Sequence, residues 1–319
     1  MSHALILVGG LGFVGRNILD VVRETPEFAD FTPVVIDDLS NACPGYEGLD
    51  VALHVGPYQA PETLAFLEAR DDSARTFVFL AGETRVAESK DRPLDFIAAN
   101  ISEPSKFVME AVRPGDHFIL ISTAGALFDG TFEVSIDAPY CPKNFYGASK
   151  AAEEMVLEKL VELCEATFSV VRMTNVFGVH SVKKKSAIHA FTRAAISGDT
   201  VTINGDGKQS RDFIFSRDVG FGITTQANRA RLGEPVAKVN MLGAGVSTSL
   251  WDVVHAIEAA TGKSLNYNQI PAEDLIATEP RDVIAKPADV QVLLGGNITT
   301  FADGIRATYD YYASSSVPA

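Results

Sequence analysis

The chain has 319 residues, 46% of them hydrophobic, enough for one large or two modest packed domains. Acidic residues outnumber basic ones by 41 to 27, the formal charge is -14, and the one basic block is Lys183-Lys184-Lys185, a balance that argues against broad nucleic-acid binding. Cys43, Cys141 and Cys164 suggest neither a disulfide framework nor a metal knuckle, and no run of about 18 apolar residues or cleavable leader is evident, so a cytoplasmic protein without membrane insertion is expected.

Ala4 to Val8 form a short continuous apolar run, which predicts a buried parallel strand. Gly9, Gly12 and Gly15 follow it as a GxxGxxG series, and apolar positions from Phe13 to Val22 recur at helical spacing. Glycines in such a turn let the backbone bend tightly, admit a pyrophosphate to the amides and pack the helix on the strand. Gly9, Gly12, Phe13, Val14 and Gly15 are therefore candidate dinucleotide contacts. A second strand, residues 33–38, ends in acid, and Asp37 lies roughly 20 residues beyond Gly15, where a carboxylate accepts from an adenosine ribose and repels a 2′-phosphate. NAD is favoured over NADP. Residues 51–55 predict a third strand, and residues 61–69 a helix opened by Pro61.

A fourth strand, residues 76–82, ends in Leu80, Ala81 and Gly82, small enough at the end for a cofactor to approach. Residues 93–112 read as a helix with Asn100 in its interior, a position where Asn is ordinarily solvated. The fifth strand, residues 117–123, carries Ser122 and Thr123 at the end where open α/β sheets bind ligands. After a loop with Pro139 and Pro142, a helix running to about Cys164 places Tyr146 and Lys150 on one face, one turn apart. A phenol titrates near 10, and a fixed cation beside it favours its anion. Residues 168–172 predict a sixth strand. Beyond it the strand-helix alternation breaks down: helices are expected at 188–196, 217–230, 249–261, 287–294 and 300–312, and short strands at 200–203 and 212–215. The six histidines show no ligand spacing, and no metal is assigned. Lys183 to Lys185 read as a solvated loop.

In order and spacing, the glycine series, Asp37, Leu80-Ala81-Gly82, Asn100, Ser122-Thr123-Ala124, the Tyr146/Lys150 pair, Arg172 to Gly178, and Gly205-Asp206-Gly207 with Arg211-Asp212-Phe213 resemble the extended short-chain dehydrogenase/reductase family. The likeness covers nearly the whole chain and is strongest to the sugar-nucleotide epimerases and dehydratases. Ala81-Gly82-Glu83-Thr84-Arg85-Val86-Ala87-Glu88-Ser89, continuing to Pro93-Leu94, is most similar to the AGxxxVxES…PL pattern of the UDP-galactose 4-epimerases.

The resemblance implies a Rossmann-like doubly wound parallel sheet with a smaller C-terminal α/β substrate domain. Residues 1–175 would bind NAD, and residues 176–319 mainly the sugar nucleotide, with some chain returning to the first domain. It implies a homodimer through the helices near 93–112 and 146–164. Cofactor contacts would include Leu80, Ala81, Gly82, Asn100, Tyr146 and Lys150, and substrate contacts Thr84, Asn175, Arg211 and Arg281. Several positions depart from the family pattern. Gly56 is followed by Pro57-Tyr58 where an acid often contacts adenine, and Thr123-Ala124-Gly125 lacks the acid that dehydratases carry after the catalytic hydroxyl. Phe128-Asp129 replace a usual Tyr-Gly, and Glu279 stands where a phosphate-binding Arg is common.

Tyr146 is expected to take a proton from a sugar hydroxyl as hydride passes to NAD, with Lys150 holding the phenolate and Thr123 bonding the same oxygen. The expected reaction is epimerisation at C4 through a keto intermediate. The alternative is a 4-keto-sugar reductase; a 4,6-dehydratase is disfavoured by Ala124, and a non-catalytic cofactor-binding protein by the intact Tyr146/Lys150 pair.

Overall fold

The computed structural model describes residues 3–70, 72–128, 132–184, 186–271 and 282–314. The first half alternates strands with helices: β1 (His3–Val8), α1 (Phe13–Glu24), β2 (Phe31–Asp37), β3 (Ala52–Val55), α2 (Pro61–Glu68) and β4 (Arg75–Phe79). Then come α3 (Pro93–Ile97), a π-helical turn (Ala98–Ser102), α4 (Glu103–Ala111), β5 (His117–Thr123), a two-residue β6 (Glu133–Val134), α5 (Phe145–Leu163) and β7 (Thr167–Met173). The remainder holds β8 (Asn175–Phe177), α6 (Ala187–Ser197), β9 (Thr200–Asn204), β10 (Ser210–Arg211), β11 (Phe213–Phe215), α7 (Ser216–Arg231) and β12 (Val239–Leu242). It ends with β13 (Thr248–Ser249), α8 (Leu250–Thr261), β14 (Asn266–Ile270), β15 (Asp282–Ala285), α9 (Pro287–Leu294) and α10 (Phe301–Ser314).

Seven of these strands form one parallel sheet in the order β12-β7-β5-β4-β1-β2-β3. The apolar run of β1 is buried on both faces: Leu5 and Leu7 join a layer with Ile18 of α1 and Ile223 of α7, while Ile6 and Val8 join Phe107 of α4 and Leu157 of α5. Helices on both faces explain why the strand reads as a continuous hydrophobic run rather than an alternation. Each fully buried side chain of this size contributes on the order of 1.5–3 kcal/mol. The chain proceeds from β1 to β2 and β3 on one side and from β4 to β5 and β7 on the other, so the order reverses between β1 and β4. That reversal opens a crevice at the strand ends.

The C-terminal part is a smaller α/β region. Here β9 pairs with β14, and β13, β10, β15 and β6 form a short mixed sheet. Its core packs Phe191 of α6, Val253, Val254 and Ile257 of α8 and Ile305 of α10 around Phe177 and Phe215. Helix α8 opens with a capping box between Ser249 and Asp252. The chain also returns to the first sheet, because β12 is its edge strand and α7 packs on α1.

Three sequence expectations change. The fourth strand stops at Phe79, so Leu80 to Gly82 form the turn beyond it. The seventh strand, β12, was not expected; it is four residues long and includes Asn240, so its periodicity is too short to register. The helix at 93–112 is continuous but widens into a π turn, and Asn100 within it is wholly buried rather than solvated. Its Oδ1 accepts from Glu83 N at 2.8 Å, and its Nδ2 donates to Glu83 O and Ser149 Oγ, both at 3.1 Å. Such turns favour functional positions. This one aims an amide at the loop after β4.

Replacing Asn100 by Ala leaves the Glu83 N–H and C=O without their partner in a part-buried setting. The expected cost is about 1–3 kcal/mol, with weaker NAD binding as the Gly82–Glu83 turn loosens. Urea denaturation and a cofactor titration check both, and an unchanged midpoint with unchanged NAD affinity would show that the latch does not matter.

Candidate active site

The glycine turn sits at the crevice. Gly9 adopts φ +79°, and a Cβ there would lie 3.1 Å from Ala81 N, so the turns after β1 and β4 touch backbone to backbone. At Gly15 a Cβ would fall 2.3 Å from Gly10 O, which seats α1 directly on the turn. Gly12 caps α1 with no side-chain hydrogen bond, and the first turn has no acid. Phe13 and Val14, half-buried, continue that turn. Uncapped amides at a helix N-terminus suit a pyrophosphate. Asp37 is buried at the end of β2, its Oδ2 accepting from Leu11 N and its Oδ1 from Leu39 N, each at 2.8 Å. Burial raises its pKa against those two amides, so further donors, such as ribose hydroxyls, would favour its charged form. The residues present fit a dinucleotide.

Tyr146 and Lys150 lie on α5, whose N-terminus is capped by Asn144 accepting from Gly147 N at 2.8 Å. Gly147 fixes where the helix begins: a Cβ there would fall 1.9 Å from Ala126 O. The turn after β5 can therefore run against α5, which brings Thr123 beside Tyr146. Ser122 and Thr123 point to opposite faces of β5. Ser122 is buried with an unpartnered Oγ, whereas the Thr123 hydroxyl interacts with the Tyr146 phenol. Strand alternation therefore puts the Thr123 hydroxyl, and not that of Ser122, on the Tyr146 side.

Lys150 Nζ donates to Ile121 O at 3.0 Å and forms an ion pair with Glu153. Burial lowers the ammonium pKa, but Glu153 and Tyr146 more than offset it, and the net shift is upward. Burial raises the Tyr146 pKa; Lys150 and the Thr123 hydroxyl pull it down and Glu153 pushes it up, leaving it above its ordinary value. Ser149 Oγ joins this face to Asn100 and also donates to Tyr146 O at 2.8 Å. Asn100 therefore reaches the cofactor crevice through the Gly82–Glu83 backbone.

The remaining candidates spread around the crevice. Thr84 is exposed on the loop after β4. Asn175, exposed at the start of β8, donates from Nδ2 to Asp212 O at 3.1 Å. Arg211 is half-buried on β10 and donates to Ser210 O at 2.9 Å. Its neighbour Asp212 is fully buried and accepts from the amides of Ala244, Gly245 and Ala285, joining three segments of the C-terminal region. Arg281, and Glu279 with it, lie outside the described residues. Lys183 and Lys184 are exposed on a loop, as expected; Lys183 donates to Ser40 O at 3.1 Å, and Lys184 stands 5.6 Å over the Phe13 ring.

Four residues that shape the site went unremarked in the sequence. Arg172 on β7 is buried against Glu154, with Nη2 2.8 Å from Oε2; Tyr140 Oη donates to the same oxygen at 2.6 Å, and Arg172 Nη1 donates to Ile136 O at 3.1 Å. This cluster pins the loop between β5 and α5. Glu154, Tyr140, Gly147 and Glu153 carried no spacing that distinguishes them from ordinary helix or loop residues. The one available signal was a second acid directly beside Glu154 on the catalytic helix.

Comparison with known proteins places this geometry. The chain is 28% identical over 321 residues to the low-salt glycan biosynthesis protein Agl12 of Haloferax volcanii, covering 97% of this chain and 98% of that one. It is 26% identical over 313 residues to a UDP-glucose 4-epimerase of Azospirillum brasilense, covering 92% and 87%. Among solved structures, TunA, described as an NAD dependent NDP-hexosamine 5,6-dehydratase, superimposes with a TM-score of 0.81 at 22% identity over 98% of each chain. The model of the NAD dependent epimerase/dehydratase family matches residues 5–241, and the chain belongs to that family, as an NAD-dependent enzyme of sugar nucleotides.

Proposed function

We propose that the protein epimerises a nucleotide sugar at C4. The observation that carries this reading is the buried Tyr146 phenol between Thr123 and Lys150, with Ala124 and Gly125 following Thr123 in place of an acid. NAD, held at the glycine turn and Asp37, would supply the hydride acceptor and, once reduced, the hydride donor. Tyr146 takes the proton from the sugar hydroxyl and gives it back; Lys150, held by Ile121 O, keeps its charge beside the forming phenolate. Thr123 donates to the same substrate oxygen as charge develops. The C-terminal region, with Asn175 and Arg211 at its edge, holds the nucleotide diphosphate while the keto sugar turns over.

Dehydration needs a proton donor for the departing hydroxyl. Ala124 is buried and its N–H is committed to Met173 O at 2.8 Å, so this position offers none. The carboxylate that acts on Tyr146 is Glu153, which is wholly buried two turns further along α5. The family includes both reactions, and this difference favours hydride return to the opposite face of the keto sugar.

The same reading includes a homodimer. Leu94 and Met109 on α3 and α4 and Met155 and Leu163 on α5 are exposed, with Leu94 at 75% and Leu163 at 72%. These helices lie side by side. Together they present an apolar face suited to a second copy.

Three outcomes are expected. Incubation with UDP-, dTDP-, GDP- and CDP-sugars and NAD in deuterated water gives an inverted sugar with no net NADH and no carbon-bound deuterium. Loss of water with deuterium incorporation would replace epimerisation by dehydration, and net oxidation of NADH on a keto sugar would make the protein a reductase. Tyr146→Phe lowers kcat by about 10²–10⁴-fold while NAD still binds, and full activity in that variant would remove Tyr146 from the chemistry. Light scattering finds a dimer that Leu94→Glu with Met155→Glu converts to monomer; a monomeric wild type would refute the interface.

A further inference from the structure

Tyr146, Lys150 and Glu153 stand at i, i+4 and i+7 on α5, so they form one stripe along the helix. Glu153 has no solvent exposure at all, and Lys150 and Tyr146 have almost none. The close polar contact of Glu153 is the Lys150 ammonium, and neither carboxylate oxygen makes a well-aligned hydrogen bond. Lys150 already donates to Ile121 O, so the ammonium is shared among a fixed carbonyl, Glu153 on one side and the catalytic phenol on the other. One buried cation faces two groups that can each become an anion.

We propose that Glu153 is a positioning residue that holds Lys150 and, through its own charge, sets the pH at which Tyr146 ionises. An ionised Glu153 neutralises Lys150 and weakens its pull on the phenolate; a protonated Glu153 leaves the whole ammonium charge to Tyr146. The two acids compete for one counter-ion, so ionisation of either opposes ionisation of the other. The inference rests on Tyr146 as the catalytic base.

The groups around Glu153 bear this out. On its own helix these are Lys150, Tyr146 and Glu154, and Glu154 is engaged by Arg172 of β7. From the loop after β3 comes Tyr58, packed on Phe79 and Phe107, with a buried hydroxyl between the charges of Glu153 and Glu103 of α4. Among the described residues, the cation in direct contact with the Glu153 carboxylate is therefore Lys150. Burial pushes the carboxyl up to about 7 against the pull of that ammonium, so its charge changes near neutrality. Its pKa is higher folded than unfolded; the folded chain therefore binds more protons between about 4.5 and 7, and this group's contribution to stability declines as pH rises through that window.

The test reads Tyr146 directly, without needing the substrate. Near-ultraviolet tyrosinate absorbance is recorded from about pH 7 to 12 for the wild type and for Glu153→Gln, each minus its Tyr146→Phe counterpart. The Tyr146 transition is expected to fall by about one pH unit or more in Glu153→Gln, and in Glu153→Leu as a second uncharged variant. With the epimerised sugar in hand, the acid limb of kcat/KM shifts down by the same amount while KM for NAD holds. Urea midpoints complete the set: the decline between pH 5 and 8 is smaller in Glu153→Gln than in the wild type. A Tyr146 transition that stays put or rises in the folded variants overturns the proposal. If the transition moves but Tyr146→Phe retains full activity, the charge coupling stands and the assignment of Tyr146 as the base falls instead.

Discussion

The site depends on backbones meeting at the point where the sheet reverses direction. Between β1 and β4 the chain departs to opposite sides, and the two turns beyond them come into contact because Gly9 has no side chain to hold Ala81 away. A Cβ at Gly15 would collide with Gly10, so α1 can begin only where it does. Both requirements are steric and local. Together they set the uncapped end of α1 at the crevice, where its free amides suit a pyrophosphate.

From that contact the rest of the active face is assembled by buried polar atoms rather than by apolar packing. Asp37 ties the end of β2 to the glycine turn through Leu11 N, Asn100 ties the turn after β4 to α5 through Ser149, and Lys150 ties α5 to β5 through Ile121 O. Each link has its polar atoms satisfied on two different elements, which gives direction that apolar contacts lack. A further cluster, Arg172 with Glu154 and Tyr140, holds the loop that runs from Thr123 to Tyr146. Thr123, Tyr146 and Lys150 are thereby carried on a strand of the main sheet and a helix packed on it, apart from the smaller C-terminal region.

What was legible in the sequence was whatever depends on short-range spacing. The apolar run of β1, the glycine series, the acid ending β2 and the four-residue step from Tyr146 to Lys150 each express a local rule, and all of them meet at the crevice. Interactions between distant elements left no such mark. Asn100 looks like a solvated helix residue until the π turn and Glu83 are seen together, and Gly147 looks like a poor helix former until Ala126 O is found against it. Strand β12 was unreadable because its four residues gain their stability from β7, and its Asn240 is satisfied by Ala237 O. Thr123 was the sequence candidate with Ser122 beside it, and the pleat of β5 turns the two hydroxyls to opposite faces.

The pair Glu153 and Glu154 shows how adjacent residues of one type acquire different physical roles. Glu154 meets a guanidinium in a two-nitrogen contact and is closed off by a tyrosine hydroxyl, an arrangement that replaces most of what water would have given. Glu153, one position earlier and equally buried, meets an ammonium whose other obligations are to a carbonyl and to the Tyr146 phenol. A buried ion pair of this kind is a poor source of stability, since desolvation takes back most of the Coulomb gain and an apolar side chain of the same volume would serve as well. Its effect is instead felt by the neighbour that shares the cation. In a crevice from which water is largely excluded, burial raises the Tyr146 pKa and Lys150 lowers it, and the negative charge of Glu153 behind Lys150 adds to the upward side of that balance with little screening.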